Sequence, residues 1–275
     1  MFETIFVEGN IIYLVFLGVA IIAFHFKKVW LRYPIMLLSL AMIGFLQMGC
    51  PSPVRALQTV SENLTQLNTV IPFVAKVVIV VISALFFGKI FCGWVCPKGV
   101  IQEFLFQKKL RWQVPPTWDR WLRKLKYVML LLVIVLPLFW HYKPFNSDTS
   151  PFAALFNLGG GTIALVILAG TLFSSLFIYR PFCRYVCPTG ALLGLASYFS
   201  RVKFLTSHCT ACQRACKQCE IGALCCPTKD ENDACFSVDK GECIMCGECR
   251  GNCPQGIEIK LLGNSQSITT VKAST

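Results

Sequence analysis

The stretch with the clearest chemistry lies near the C-terminus, between residues 243 and 254. Cys243, Cys246 and Cys249 have two residues between each pair, and Cys253 follows after three more, directly before Pro254. With this spacing, three thiolates bind one 4Fe–4S cubane, and the cysteine before proline reaches a second cluster. Zinc also binds C-x2-C pairs, and disulfide scaffolds also accumulate cysteines. Four cysteines in one run that ends in proline favour the iron–sulfur interpretation.

A second cysteine-rich stretch, residues 208–227, precedes this run and departs from its spacing. Eleven cysteines lie between residues 209 and 253, and two cubanes need eight of them. The predicted clusters are one held by Cys209, Cys212, Cys216 and Cys253, and one held by Cys243, Cys246, Cys249 and Cys219. Cys226, which a proline follows, is the rival of Cys219. Cys225 and Cys235 are predicted to be spare, in an insert (220–242) that suits a docking loop.

Two further cysteine pairs lie in an internal repeat. FFGKIFCGWVCPKG at 86–99 is echoed by FIYRPFCRYVCPTG at 177–190, and SPVRAL at 52–57 by SPFAAL at 150–155. The repeat therefore predicts the same order of elements in each half. An SPxxAL turn is followed by an apolar helix and then by a CxxxCP motif. The SPxxAL turns, with Cys50 and His141 nearby, suit either a quinol or partner surface or simple helix starts.

The paired cysteines of the repeat predict a shared site. Two residues four apart lie on one face of a continuing helix, and two such pairs give the four thiolates of a cluster. Pro97 and Pro188 should end the helices, and Gly99 and Gly190 should permit a turn. Lys98 and Arg184 would offset the thiolate charge. Buried free cysteines and redox-active dithiols are the alternatives for the four cysteines, Cys92, Cys96, Cys183 and Cys187.

The composition is that of a membrane protein with a soluble appendage. The chain has 275 residues, of which 15% are charged, and a mean hydropathy of +0.60; soluble domains carry about 25% charged residues. Apolar stretches long enough to cross a bilayer lie at about 9–27, 34–49, 70–91, 127–142 and 162–180. Lysines and arginines follow the first stretch and crowd residues 98–126, which explains the net charge of +12 by positive-inside anchoring rather than nucleic-acid binding.

The predicted fold is therefore an α-helical membrane bundle of about five spans with an internal hairpin repeat, followed by a C-terminal α+β ferredoxin-like domain. The predicted domains are 1–205 and 206–275. An odd number of spans places the N-terminus outside and the ferredoxin-like domain in the cytoplasm. Three histidines and no Cys-x2-Cys-His motif disfavour haem, and no glycine-rich phosphate loop is present.

FCGWVCPKG and FCRYVCPTGALLG, followed by a ferredoxin-type tail, resemble the membrane polyferredoxin family of NapH and NosR. The resemblance covers residues from about 35 to 258. It implies an electron-transfer subunit in the cytoplasmic membrane of a bacterium or archaeon, with membrane lipid, quinol and other redox subunits as partners and quinone as a further cofactor. It leaves open an assembly or regulatory polyferredoxin that reduces a maturation intermediate for another enzyme. A scaffold that binds structural zinc is the non-redox alternative.

Overall fold

The structure is a computed structural model that describes residues 2–46, 67–112, 114–140, 151–156, 161–206, 219–225, 237–252 and 257–260. Most of these residues are helical. The α-helices are α1 (Phe2–His25), α2 (Arg32–Ser39), α3 (Leu67–Phe87), α4 (Ile90–Trp94), α5 (Pro97–Leu105), α6 (Pro116–Trp140), α7 (Pro151–Phe156), α8 (Thr162–Phe177), α9 (Pro188–Tyr198) and α10 (Glu248–Asn252). Two 3-10 turns (Val29–Leu31 and Lys108–Leu110) and two π-helical turns (Leu40–Leu46 and Phe182–Val186) join them.

Proline and glycine set the boundaries of several helices. Proline is the first residue of α5, α6, α7 and α9, where its missing N–H costs no hydrogen bond and its fixed φ suits the helix. Gly88 follows α3 with a φ of +69°, in the left-handed region that glycine enters without strain. Arg180 has a φ of +49° without being glycine, and it connects α8 to the π-helical turn at Phe182–Val186.

One large hydrophobic core joins the N-terminal helices to the C-terminal cysteine loops. It contains residues of α1, α3, α4 and α9, with Phe24, Trp94 and Leu193 among its fully buried members. Met245 and Ile259 from the C-terminal region belong to the same core. Helix α9 packs on α3 and α6, and α6 packs on the Phe182–Val186 turn. The two ends of the sequence therefore share one packed interior.

The strands are short and occur as two separate antiparallel pairs. Strand β1 (Lys203–Thr206) pairs with β4 (Ile257–Lys260), and β2 (Leu224–Cys225) pairs with β3 (Ser237–Val238). The described part of the C-terminal region therefore does not show the predicted α+β domain, and that part of the fold prediction is wrong. The domain boundary at 205/206 stays a prediction.

The prediction of five spans is also wrong. Within the described ranges, one helical segment, Val29–Leu46, is long and apolar enough to cross a membrane. Three shorter apolar helical segments are Ile11–His25, Val77–Phe87 and Thr162–Phe177. Helix α8 has 16 residues, about 24 Å at 1.5 Å per residue, against a bilayer core of about 30 Å. The predicted fourth span is the apolar C-terminal half of α6, whose N-terminal half is charged. Hydropathy alone does not show that the two halves form one helix.

Candidate metal centres

The two CxxxCP motifs fold alike. Cys92 lies in α4, and Cys183 lies in the π-helical turn Phe182–Val186. Cys96 (φ −68°, ψ 112°) and Cys187 (φ −67°, ψ 112°) have the same extended backbone and cap α5 and α9. The helix thus ends between the two cysteines of each pair, and proline starts the next helix. The condition for each pair to lie on one helix face, a helix that continues through both cysteines, is therefore not met.

The glycines of the motifs lie inside α5 and α9, so the prediction that they permit a turn is also wrong. A Cβ atom at Gly99 would lie 2.7 Å from Arg180 Nη1, and one at Gly190 would lie 3.1 Å from the carbonyl oxygen of Cys183. Both distances are shorter than ordinary van der Waals contact. Glycine at these positions lets the next helix approach the cysteine-bearing turn closely.

The structure brings the four motif cysteines together as a first cysteine group, Cys92, Cys96, Cys183 and Cys187. No disulfide joins these four cysteines, and Cys183 has the other three as electrostatic neighbours. Burial, and then the nearby Cys96, raises the pKa of Cys92 to about 12. Gln102 Nε2 donates a hydrogen bond of 3.2 Å to Cys183 Sγ. Gln102 Oε1 accepts a hydrogen bond of 3.0 Å from the backbone N–H of Phe182. Cys96 and Cys187 are buried and Cys92 and Cys183 are partly buried, a setting that disfavours charged thiolates without a positive partner.

Three cationic side chains surround the first group. Lys89, Lys98 and Arg180 each lower the pKa of one or more of its thiols, against the larger effect of burial. Lys98 therefore lies where the sequence predicts a compensating charge. Arg184 does not, because its Nη2 donates to Asp119 Oδ2 at 2.8 Å instead.

A second cysteine group forms where the C-terminal loop folds over a cavity. Its members Cys219, Cys243, Cys246 and Cys249 are free thiols, and burial followed by the nearby Cys246 raises the pKa of Cys243. Gly247 has a φ of +82°, which turns the loop back between two of the cysteines. The cavity has a volume of about 450 Å³. Besides the four cysteines, its lining includes the aromatic side chains Tyr33, Phe104, Phe106 and Tyr179.

The two groups touch through the backbone of the first CxxxCP motif. A Cβ atom at Gly93 would lie only 2.0 Å from the carbonyl oxygen of Ile244. The backbone segments at Gly93 and Ile244 are therefore in direct contact. The fully buried Trp94 donates a hydrogen bond of 2.9 Å from Nε1 to the carbonyl oxygen of Met245. The residues between Cys92 and Cys96 thus pack against the residues between Cys243 and Cys246.

The donor sets suit a multinuclear cluster. Each group offers four thiols, and no disulfide joins any of these eight cysteines. Metal binding requires thiolates, which burial and mutual repulsion disfavour here until a cation supplies positive charge. No group of three or more His, Cys, Asp or Glu side chains within the described ranges is arranged around a single ion. Four cysteine thiolates are the ligand number of a 4Fe–4S cluster.

Several predicted residues lie outside the described ranges. They are the cluster ligands Cys209, Cys212, Cys216 and Cys253, the rival ligand Cys226, the spare Cys235, and the outer-loop residues Cys50, Ser52, Arg55, His141 and Ser150. Pro151 begins α7, which agrees with the helix-start interpretation of the second SPxxAL segment.

Residues 69–115 and 161–206 match the family described as a 4Fe-4S binding domain. An uncharacterized protein of Methanocaldococcus jannaschii, MJ0750, is 34% identical over 187 residues, which are 66% of this chain and 75% of that protein. The chain belongs to the NapH/NosR-type polyferredoxin family. The putative electron transport protein YccM of Escherichia coli is 32% identical over 63% of this chain and 51% of its own length. The ferredoxin-type protein NapH of E. coli is 26% identical over 74% of this chain and 72% of its own length. No solved structure matches.

In this polyferredoxin, a partly buried carboxylate holds the loop of Cys219 against the second CxxxCP motif. Asp119 accepts hydrogen bonds of 2.8 Å from Arg123 Nε, 2.8 Å from Arg184 Nη2 and 2.7 Å from the Tyr185 hydroxyl. Burial would raise the pKa of Asp119, but these three donors lower it below its ordinary value. Arg123 Nη2 also donates 2.9 Å to the carbonyl oxygen of Ile221. The carboxylate therefore joins α6, the second motif and the loop.

Sequence reasoning missed the polar residues that surround the cysteines of this polyferredoxin. Glu103 and Asp119 are the only acids in the basic segment 98–126, and an isolated acid among many cations was the available signal. Trp94 and Tyr185 occupy the same position of the two motifs, FCGWVCP and FCRYVCP. Both use that aromatic side chain to donate a hydrogen bond to another element.

Proposed function

We propose that this chain transfers electrons through iron–sulfur clusters held by the first and second cysteine groups. The observation that carries the proposal is the direct contact, through Gly93 and Trp94, of two groups of four cysteines that no disulfide joins. A bound 4Fe–4S cluster takes up and releases one electron. A further cluster held by Cys209, Cys212, Cys216 and Cys253 is proposed from the sequence.

The protein residues have three tasks in this proposal. The cysteines hold the clusters, and the shared core excludes water from them. Cationic side chains offset the thiolate charge, namely Lys89, Lys98 and Arg180 at the first group and Arg32 and Arg250 at the second. Hydrogen bonds to sulfur, such as that from Gln102, tune the site, because second-shell contacts orient ligands and set potentials.

Iron and acid-labile sulfide analysis of the purified protein tests this proposal. Cys183→Ala and Cys246→Ala should each remove one cluster, about four irons per chain, and the double variant about twice as many. Cys225→Ala is the control, because the sequence predicts that this cysteine is spare. Full iron content in Cys183→Ala would show that the CxxxCP cysteines do not bind a cluster, and full content in Cys246→Ala would do the same for the second group.

We propose a membrane location for the chain, with lipid and other redox subunits as its partners. The segment Val29–Leu46 is long and apolar enough to span a bilayer, and Lys27 and Lys28 precede it directly. The exposed side chains of Trp112, Trp118 and Trp121 lie within the basic segment 98–126 and suit the membrane interface. The excess of lysine and arginine in this segment supports its placement on the cytoplasmic side of the membrane.

Quinol is the proposed electron donor, with its ring in the cavity beside the second group. Aromatic walls from Phe104, Phe106 and Tyr179 support this, because apolar cavities with a few polar groups bind flat organic ligands. Phe104→Ala should slow cluster reduction by a short-chain quinol about 2- to 10-fold, the effect of losing one aromatic contact. Phe173, an exposed residue that packs edge-on against Phe177, provides the control variant Phe173→Ala. Equal reduction rates in both variants would exclude the cavity as the quinol site.

A further inference from the structure

A buried charge bridge lies between the two cysteine groups. Glu103 Oε2 accepts hydrogen bonds from Arg32 Nη2 at 2.6 Å and from Arg180 Nε at 3.0 Å, and Arg180 Nη2 also contacts it. Arg32 lies in α2 and Glu103 lies in α5. Arg180 lies in the connection between α8 and the second motif. These three residues form the bridge.

The bridge is almost completely withdrawn from solvent. The side chains of Arg32 and Arg180 are 0% and 1% exposed, and that of Glu103 is 11% exposed. Burial would raise the pKa of Glu103, but Arg180 and Arg32 lower it below its ordinary value, so the carboxylate is ionised at neutral pH. Two guanidinium groups then face the Glu103 carboxylate, and Arg32 Nη1 also lies 3.9 Å from Glu248 Oε1, whose side chain is 40% exposed. Of these groups, the three that are withdrawn from solvent carry one net positive charge.

That positive charge is close to both cysteine groups. Arg180 Nη1 donates 2.6 Å to the carbonyl oxygen of Cys92, and Arg180 lies within electrostatic range of Cys183. Arg32 Nε donates 3.1 Å to the carbonyl oxygen of Gly93, and Arg32 lies within electrostatic range of Cys246. Arg32 Nη1 donates no hydrogen bond to a described residue, and its ion pair with Glu248 is the longer contact of 3.9 Å.

We propose that the Arg32–Glu103–Arg180 bridge sets the reduction potentials of both cluster sites together. The inference rests on the proposed function, since it requires clusters at both groups. Reduction adds one electron to a site, and no covalent bond forms or breaks. A fixed positive charge nearby favours the form with the added negative charge, and the effect persists in the interior because screening there is weak. Since the bridge touches both groups, one change of its charge moves both potentials in the same direction.

A redox titration with dithionite, followed by electron paramagnetic resonance of the purified whole chain, tests this inference. Each signal is assigned by its loss in Cys183→Ala or Cys246→Ala. Glu103→Gln, which removes a negative charge, should shift both midpoint potentials to more positive values. Arg180→Gln should shift both to more negative values, and Arg180→Lys, which keeps the charge, should restore them towards wild type.

The control is a charge change of the same sign as Arg180→Gln at the protein surface. Lys124 is an exposed lysine of α6 that stacks on Trp121. Lys124→Gln should give no common shift, because solvent screens an exposed charge. Unchanged potentials in Glu103→Gln and Arg180→Gln, or a shift in only one signal, would overturn the proposal. Loss of iron from both variants would assign the bridge to folding alone and overturn it too. A wild-type protein without iron and sulfide would refute the proposed function itself.

Discussion

Gly93→Ala should empty the second cysteine group while the first keeps its iron. The added methyl carbon would lie 2.0 Å from the carbonyl oxygen of Ile244, far inside van der Waals contact. The neighbour is backbone, so the whole loop between Cys243 and Cys246 must move away. That movement also breaks the hydrogen bond from Trp94 to Met245. Overpacking of this kind costs about 1–3 kcal/mol, and loop displacement should release about four irons per chain.

The matched control uses the same substitution in another helix. A Cβ atom at Gly170 in α8 would have nothing within 4 Å. Alanine is favoured over glycine in a helix by about 0.8–1 kcal/mol, so Gly170→Ala should be neutral or stabilising and keep all its iron. Gly93 also lies in a helix, so helix propensity alone predicts the opposite sign for Gly93→Ala. Full iron in Gly93→Ala would show that the loop contact does not position the second group.

Local features of the sequence were sufficient for the cysteine motifs and their repeat. Thiol chemistry follows from residue type, and the spacing between cysteines is fixed by neighbouring residues along the chain. Proline at the start of α5 and α9 likewise disfavours a helical backbone at the residue before it, which explains why the chain is extended at Cys96 and Cys187. These features need no knowledge of the tertiary structure.

The bridge and the contact between groups could not be predicted in this way. Arg32 and Glu103 are 71 residues apart in the sequence, and Trp94 and Met245 are 151 residues apart. A single sequence contains no signal for such pairings. The span count failed for a related reason, since hydropathy finds apolar stretches but not the residue at which a helix ends, such as Phe177.

Glu242→Gln should strongly destabilise the protein and the second cysteine group. Lys126 Nζ lies 2.5 Å from Glu242 Oε1, and the two side chains are 1% and 9% exposed. Burial, and then the nearby Lys89, lowers the pKa of Lys126, so the ammonium depends on the Glu242 carboxylate. Removing one partner of a buried pair costs about 3–5 kcal/mol, because the other charge is left uncompensated. Since Glu242 adjoins Cys243, thermal unfolding and release of iron from the second group should occur at a lower temperature.

A double-mutant cycle separates the ion pair from the shape of the site. Glu242→Gln combined with Lys126→Met removes both charges, so most of the lost stability should return. Lys126→Met alone should cost less than Glu242→Gln, because Arg123 Nη1 lies 3.8 Å from Glu242 Oε2 and still compensates the carboxylate. Lys124→Met, an exposed lysine of the same helix that stacks on Trp121, should change stability by no more than about 0.5 kcal/mol. If the double variant loses as much stability as the two single variants combined, the pair is not coupled, and packing around Glu242 would account for the loss.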